Sequence, residues 1–181
     1  PARVAIEACR EAWFVHAKLT EWGNEVLLVD TSRSRQMGIG HHSRKNDRID
    51  AELMALKVES GGIPLAHVLS PGRQELRRQV GVRRTLVETR AQYVTTIRGL
   101  ARECGCALRS CDTEQFVGNV RKAVLRADVR KTIEPLVAVL DPLEVQLADV
   151  EVRLEKLCAA EPVVALLTTT PGVGSIVAAS F

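Results

Sequence analysis

Two kinds of apolar spacing divide the chain. Up to residue 62 the apolar positions fall in short blocks. Residues 3–8 form a short β-like run, and residues 25–30 are almost continuously apolar, as in a strand buried on both faces of a partly parallel sheet. Between them Ala12, Val15, Leu19 and Trp22 recur at helical spacing, and Gly23-Asn24 ends that helix. Strand, helix, strand is a βαβ unit. Residues 31–45 are rich in Ser, Arg, Gly and His and read as a loop. A helix follows from about Asn46 to Glu59, and Ser60-Gly61-Gly62-Ile63-Pro64 closes the block.

Beyond that point the period changes to that of long helices. Val82, Leu86, Tyr93, Ile97, Leu100 and Cys104 predict one helix over residues 71–109. Leu136, Leu140, Leu143, Leu147, Val150, Leu154 and Leu157 alternate steps of four and three, a heptad seam that predicts a coiled coil. Its partner is either the helix starting near Pro71, in an antiparallel hairpin, or a second subunit. Pro142 starts this helix after an Asp141 cap or kinks a longer one, and Pro135 complicates the same stretch. Residues 105–131 link the two helices and contain a short basic helix over 119–126. At the C-terminus Thr170-Pro171-Gly172-Val173-Gly174 reads as a turn entering a helix. The expected fold class is α/β plus α, in three parts: residues 1–62, 63–160 and 161–181.

Composition narrows this picture only slightly. The chain has 181 residues, enough for one large domain or a domain with an extension, and aromatics at 3% leave the core to Leu, Val, Ile and Ala. Its formal net charge of +3 is too mild to imply nucleic acid by itself. The absence of an eighteen-residue apolar run argues against a membrane span and makes the cytoplasm the simplest location. Cys104, Cys106 and Cys111 lack the paired spacing of zinc modules, and reduced thiols are the simpler reading of all five cysteines. His41 and His42 fit a solvated loop.

Charge distribution carries more than the total. In the long helix nine arginines, Arg73, Arg77, Arg78, Arg83, Arg84, Arg90, Arg98, Arg102 and Arg109, face three acids, Glu75, Glu88 and Glu103, a local excess of six. Such a face either tracks a phosphate backbone or is simply solvated. Asp47 and Asp50, three apart at the start of a helix, share a face. They can offer hard oxygen ligands to Mg²⁺ or can cap the helix as a variant capping box. Glu7 closes the first strand, where α/β sheets place their sites, and can equally be a solvated loop residue. Gly172 and Gly174 either admit a phosphate to backbone N–H groups or make a plain turn.

Four segments in order, Val4-Ala5-Ile6-Glu7-Ala8-Cys9, Glu25-Val26-Leu27-Leu28-Val29-Asp30, Lys45-Asn46-Asp47-Arg48-Ile49-Asp50-Ala51-Glu52 and Thr170-Pro171-Gly172-Val173-Gly174, resemble DEDD-type insertion-sequence transposases. That family has a RuvC-like (RNase H-like) α/β domain, a helical coiled-coil middle and a C-terminal transposase domain carrying a serine. The resemblance implies an internal fragment. It comprises the C-terminal part of the RuvC-like domain (1–62), a coiled-coil hairpin (63–160) and the start of a helix-hairpin-helix-like C-terminal segment (161–181).

By the same resemblance Glu7, Asp47 and Asp50 match three of four catalytic, Mg²⁺-binding acids. The first Asp, on an earlier strand, and the nucleophilic serine have no counterpart here, so no strand transfer is expected of this chain alone. Two-metal catalysis needs carboxylates that hold ions about 3.5 to 4 Å apart, which three acids do poorly. Nucleic-acid contacts are expected from Arg44, Lys45, Arg48, Arg73, Arg77, Arg78, Arg83, Arg84, Gly172 and Gly174. Implied partners are DNA, a guide (bridge) RNA and a second copy of the chain paired through the helical region, with bacterial cytoplasm as the location. Two other classes remain: a non-enzymatic coiled-coil interaction module and a RuvC-like junction nuclease.

Overall fold

Short apolar runs joined by one helix have little choice but to pair in parallel, because the crossover returns the chain to the same end of the sheet. The computed structural model describes residues 1–36 and 47–181 and contains this unit. β1 (Arg3–Glu7) and β2 (Glu25–Val29) form a parallel pair, with Arg3 opposite Glu25 and Glu7 opposite Val29, joined by α1 (Ala12–Glu21). The helix ends as its glycine predicts: the Asn24 N–H donates to the Leu19 carbonyl at 3.1 Å. Val29 is 0% exposed because β2 is flanked on both sides. On its outer side residues 64–66 return as an antiparallel edge, with Asp30 N–H to Pro64 O at 3.0 Å and Ala66 N–H to Leu28 O at 2.8 Å. The sheet therefore claims residues beyond 62. The chain divides at Leu69 rather than there, into units Pro1–Leu69 and Ser70–Phe181.

Residues 31–45 were expected as loop, yet α2 (Thr31–Gln36) is helical. The cause is Asp30, whose Oδ1 accepts from the N–H groups of Ser32 at 2.9 Å and Arg33 at 3.1 Å, an N-cap just past an apolar strand. α3 (Asp47–Glu59) follows, packs against β1 and buries Met54. Among the described residues the molecule is mostly helical, with this small parallel sheet.

In the second unit two helices of 33 residues, each about 50 Å long at ~1.5 Å per residue, dominate. α4 (Pro71–Glu103) starts where Ser70 Oγ accepts from the Arg73 N–H at 3.3 Å, with Pro71 in the first turn. It ends six residues short of the expected 109. Gly105 takes φ +76°, and the Cys106 N–H closes back on the Ala101 carbonyl at 2.8 Å. The apolar period gives no sign of the stop, because its last members, Leu100 and Cys104, lie before the glycine.

α6 (Ala127–Ala159) runs through both prolines. Pro135 and Pro142 are seven apart and both exposed, so the two carbonyls left without donors, on Lys131 and Ala138, lie on the solvent face. The buried positions, Val129, Ile133, Val137, Leu140, Leu147, Val150, Leu154 and Cys158, extend the heptad seam upstream of both prolines. α6 packs against α4. Arg83 pairs with Glu151 at 2.8 Å and Arg90 with Glu144 at 3.0 Å. Seven residues forward on one helix match seven back on the other, which makes the hairpin antiparallel. The next step places Ile97 level with Val137, both in one core cluster. A step the other way places Leu76 level with Cys158, both in the other.

The short helix of the linker is α5 (Phe116–Lys122), preceded by a 3-10 turn, Thr113–Gln115, and not the expected basic helix over 119–126. Burial of Phe116, Val117 and Val120 against Ile97 and Ile133 sets its limits, and Arg126 caps α6 instead. α7 (Pro162–Leu167) and α8 (Ser175–Ala179) place Val164 and Ala178 on Leu76, Val150, Leu154 and Cys158. Residues 161–181 thus share the hairpin's core and lie in the same compact unit, Ser70–Phe181.

Candidate functional site

The acids of the first unit sit where strand polarity puts them. Glu7 is the last residue of β1 and is exposed, while Asp47, exposed, and Asp50, half-buried, occupy the first turn of α3. One turn apart, the two aspartates lie on one helix face, where they also complement the helix dipole. Among the described residues no three His, Cys, Asp or Glu side chains form a group able to hold a metal ion. The three acids as placed do not fit a Mg²⁺ centre on their own. A fourth carboxylate at the strand ends, Asp30, went unremarked in the sequence; it is spent on capping α2 and lies 3.8 Å from Arg33.

The basic residues divide sharply by partner. Arg83, with 27% of its side chain exposed, and Arg90, with 14%, bridge to α6 and so hold the hairpin together. Arg78 pairs with Glu75 at 2.8 Å and Arg84 with Glu88 at 3.7 Å along α4 itself. Hydrogen bonds from Gln79 and then Arg78 hold the Glu75 carboxyl below the usual carboxylate range. Arg73 is half-buried beside its helix cap and Arg77 is exposed. Arg48 lies 3.0 Å from Glu52 on α3. Arg44 and Lys45, like His41 and His42, fall outside the described residues. The face that sequence reads as uniformly basic is therefore, in good part, an internal charge lattice.

The P-G-V-G segment resolves as a turn. The Val173 N–H donates to Thr170 O at 3.1 Å with Gly172 at φ +84°, the geometry of a type II turn with proline in second place. A Cβ on Gly174 would meet nothing within 4 Å, so no packing within the chain demands glycine there.

These features meet one comparison. Over 180 residues, 97% of this chain, the sequence is 26% identical to the Sinorhizobium fredii (strain NBRC 101917 / NGR234) protein named "Putative transposase y4pF/y4sB". The chain is similar to a transposase. It spans about half the length of that relative, 46%. The chain matches no family model. The alignment takes in both units, so the acids of the first and the hairpin of the second fall within the similarity. Among the described residues no helix is long and apolar enough to cross a membrane.

The sequence counts Arg102 and Arg109 only as part of the basic face and leaves out Lys122 and Lys131; all four are exposed. Their common signal is position: all lie at the end of the hairpin where the two helices are joined.

Proposed function

We propose that the chain is the middle of a DEDD-type insertion-sequence transposase that acts on DNA. The observation that carries this reading is the similarity, over 97% of this chain, to a protein named "Putative transposase y4pF/y4sB". The order of elements supports it: a parallel βαβ unit with an acid ending its first strand, an Asp-x-x-Asp pair opening a helix, a long hairpin, then a Pro-Gly turn into a helix. In this reading the first unit belongs to a RuvC-like domain and the hairpin to a coiled coil that also pairs copies of the chain. Residues 161–181 open the serine-bearing domain.

Glu7, Asp47 and Asp50 would supply part of a Mg²⁺ site whose remaining ligands come from elsewhere in the intact protein. What this chain supplies is the helix turn that points two carboxylates one way. On its own it is expected to cleave no DNA. A guide RNA is a further partner under the same reading.

The interhelical pairs Arg83–Glu151 and Arg90–Glu144 favour one alternative, a non-enzymatic hairpin module whose arginines are structural. Sequencing the genomic DNA on both sides of the segment separates the two. An upstream strand bearing an Asp and a downstream serine-containing domain in frame support the transposase. A complete open reading frame without either overturns it.

A further inference from the structure

Antiparallel pairing decides which charges neutralise each other. Residues 70–97 carry six arginines and two glutamates, and residues 132–161 carry seven acids and two cations. The register of Arg83 on Glu151 and Arg90 on Glu144 lays these two stretches side by side, so the open half of the hairpin is neutralised internally. Residues 98–131 behave differently. They carry eight cations and four acids, an excess of four where the whole chain has +3, and they fold onto one another at the joined end. A further heptad step along the register brings residue 104 level with residue 130. Arg102 in the last turn of α4 and Lys131 in the first turns of α6 therefore sit at the same height.

Arg126 is paired with Asp128 inside this stretch and Arg121 with Asp141 outside it, which lowers the excess to three. Arg130 donates to the Ala123 carbonyl at 2.8 Å. Arg98 lies over the Phe116 ring at 5.2 Å with its Nε buried and unbonded, and adds an unneutralised charge beneath the surface. Arg102, Arg109, Lys122 and Lys131 are exposed and have no carboxylate partner among the described residues. Neighbouring Glu103, Asp112 and Glu114 are exposed and do not cancel the excess. Cations held apart from carboxylates on a rigid end are suited to phosphates, whose binding releases counterions.

We propose that the joined end of the hairpin, through Arg102, Arg109, Lys122 and Lys131, is a contact surface for the phosphate backbone of duplex DNA. The choice of DNA rests on the transposase reading; the location rests on the charge register alone. The test is fluorescence anisotropy of a labelled 30-base-pair duplex with the full chain, over a series of salt concentrations. The comparison variant carries Arg102→Gln, Arg109→Gln, Lys122→Gln and Lys131→Gln, with circular dichroism to confirm unchanged helix content. A second variant, Arg153→Gln with Lys156→Gln, removes cations from the open half, where the register neutralises charge internally.

The expected result is a Kd at least tenfold weaker for the four-site variant and a log-log salt slope shallower by about 3 to 4. The open-half variant should stay within twofold. Equal binding by chain and four-site variant overturns the surface and leaves the transposase reading standing. Preferential binding of an RNA duplex of the same sequence overturns the DNA assignment. A chain that binds no duplex at low salt overturns the surface and counts against the reading as well.

Discussion

Of the twenty buried hydrophobic side chains among the described residues, four lie in Pro1–Leu69 and sixteen in Ser70–Phe181. The charges divide as unevenly: nine cations balance nine acids in the first unit, while sixteen face thirteen in the second, which so holds the whole net charge. One region has a small sheet with carboxylates at its rim and little core; the other has two core clusters stitched by ion pairs. Stability and net charge thus reside in the hairpin, and the acids that invite a chemical reading reside in the part with less to hold it rigid. Precise metal chemistry needs a supported shell.

The sharpest way to break this contrast is to open a cavity in the hairpin. Leu140 is 1% exposed and sits among Ile97, Phe116 and Ile133. Leu140→Ala should cost about 3 kcal/mol in urea unfolding followed by helix signal. A loss under about 1 kcal/mol, within reach of a surface change, would mean the core is not where the structure puts it. By contrast Leu56→Ala, on the exposed face of α3, should change stability by less than about 0.5 kcal/mol.

A smaller effect sharpens the point about arginine. The Arg90–Glu144 pair is mostly shielded, whereas the Arg84–Glu88 pair has both side chains more than two-thirds exposed. Double-mutant cycles to alanine should give a coupling of about 1 to 2 kcal/mol for the first and about 0.3 kcal/mol for the second. Equal couplings would remove the distinction between lattice and solvated arginines. Smaller again, Gly105→Ala forces a side chain into φ +76° at the end of α4 and should cost about 1 kcal/mol.

How much of this could be read in advance follows from how local each feature is. The βαβ unit, the stop at Gly23-Asn24, the start at Pro71 and the turn at Gly172 depend on neighbours within a few residues, and each lies where spacing puts it. α2 was missed because a polar stretch looks like loop until Asp30 is recognised as its cap. The partners of Arg83 and Arg90 were out of reach because they lie 68 and 54 residues away, and only the hairpin register names them. The same register hid the cationic joined end: along the sequence its charges look no denser than those of α4. As for the site, its acids were legible as residue types and spacing, but whether Glu7 meets Asp47 and Asp50 depends on how a strand end and a helix start are arranged in space.

Cysteine chemistry offers the least perturbing comparison of the two regions. Cys158 is 5% exposed in the second cluster, and burial, followed by the nearby Glu155, pushes its thiol pKa up. Cys9, beside the end of β1, is exposed. A raised folded-state pKa means the unfolded chain loses its proton first as pH rises. The contribution of Cys158 to stability is therefore full below the unfolded thiol's value, about 8.5, and declines above it. Melting temperatures measured at pH 7 and pH 9.5 should fall more for the native chain than for Cys158→Ala, although the alanine variant melts lower at pH 7. With an aromatic disulfide reagent under native conditions, Cys9 should react within minutes and Cys158 only as fast as the hairpin opens. If both react at one rate, the second unit is no more closed than the first, and the contrast in burial has no counterpart in dynamics.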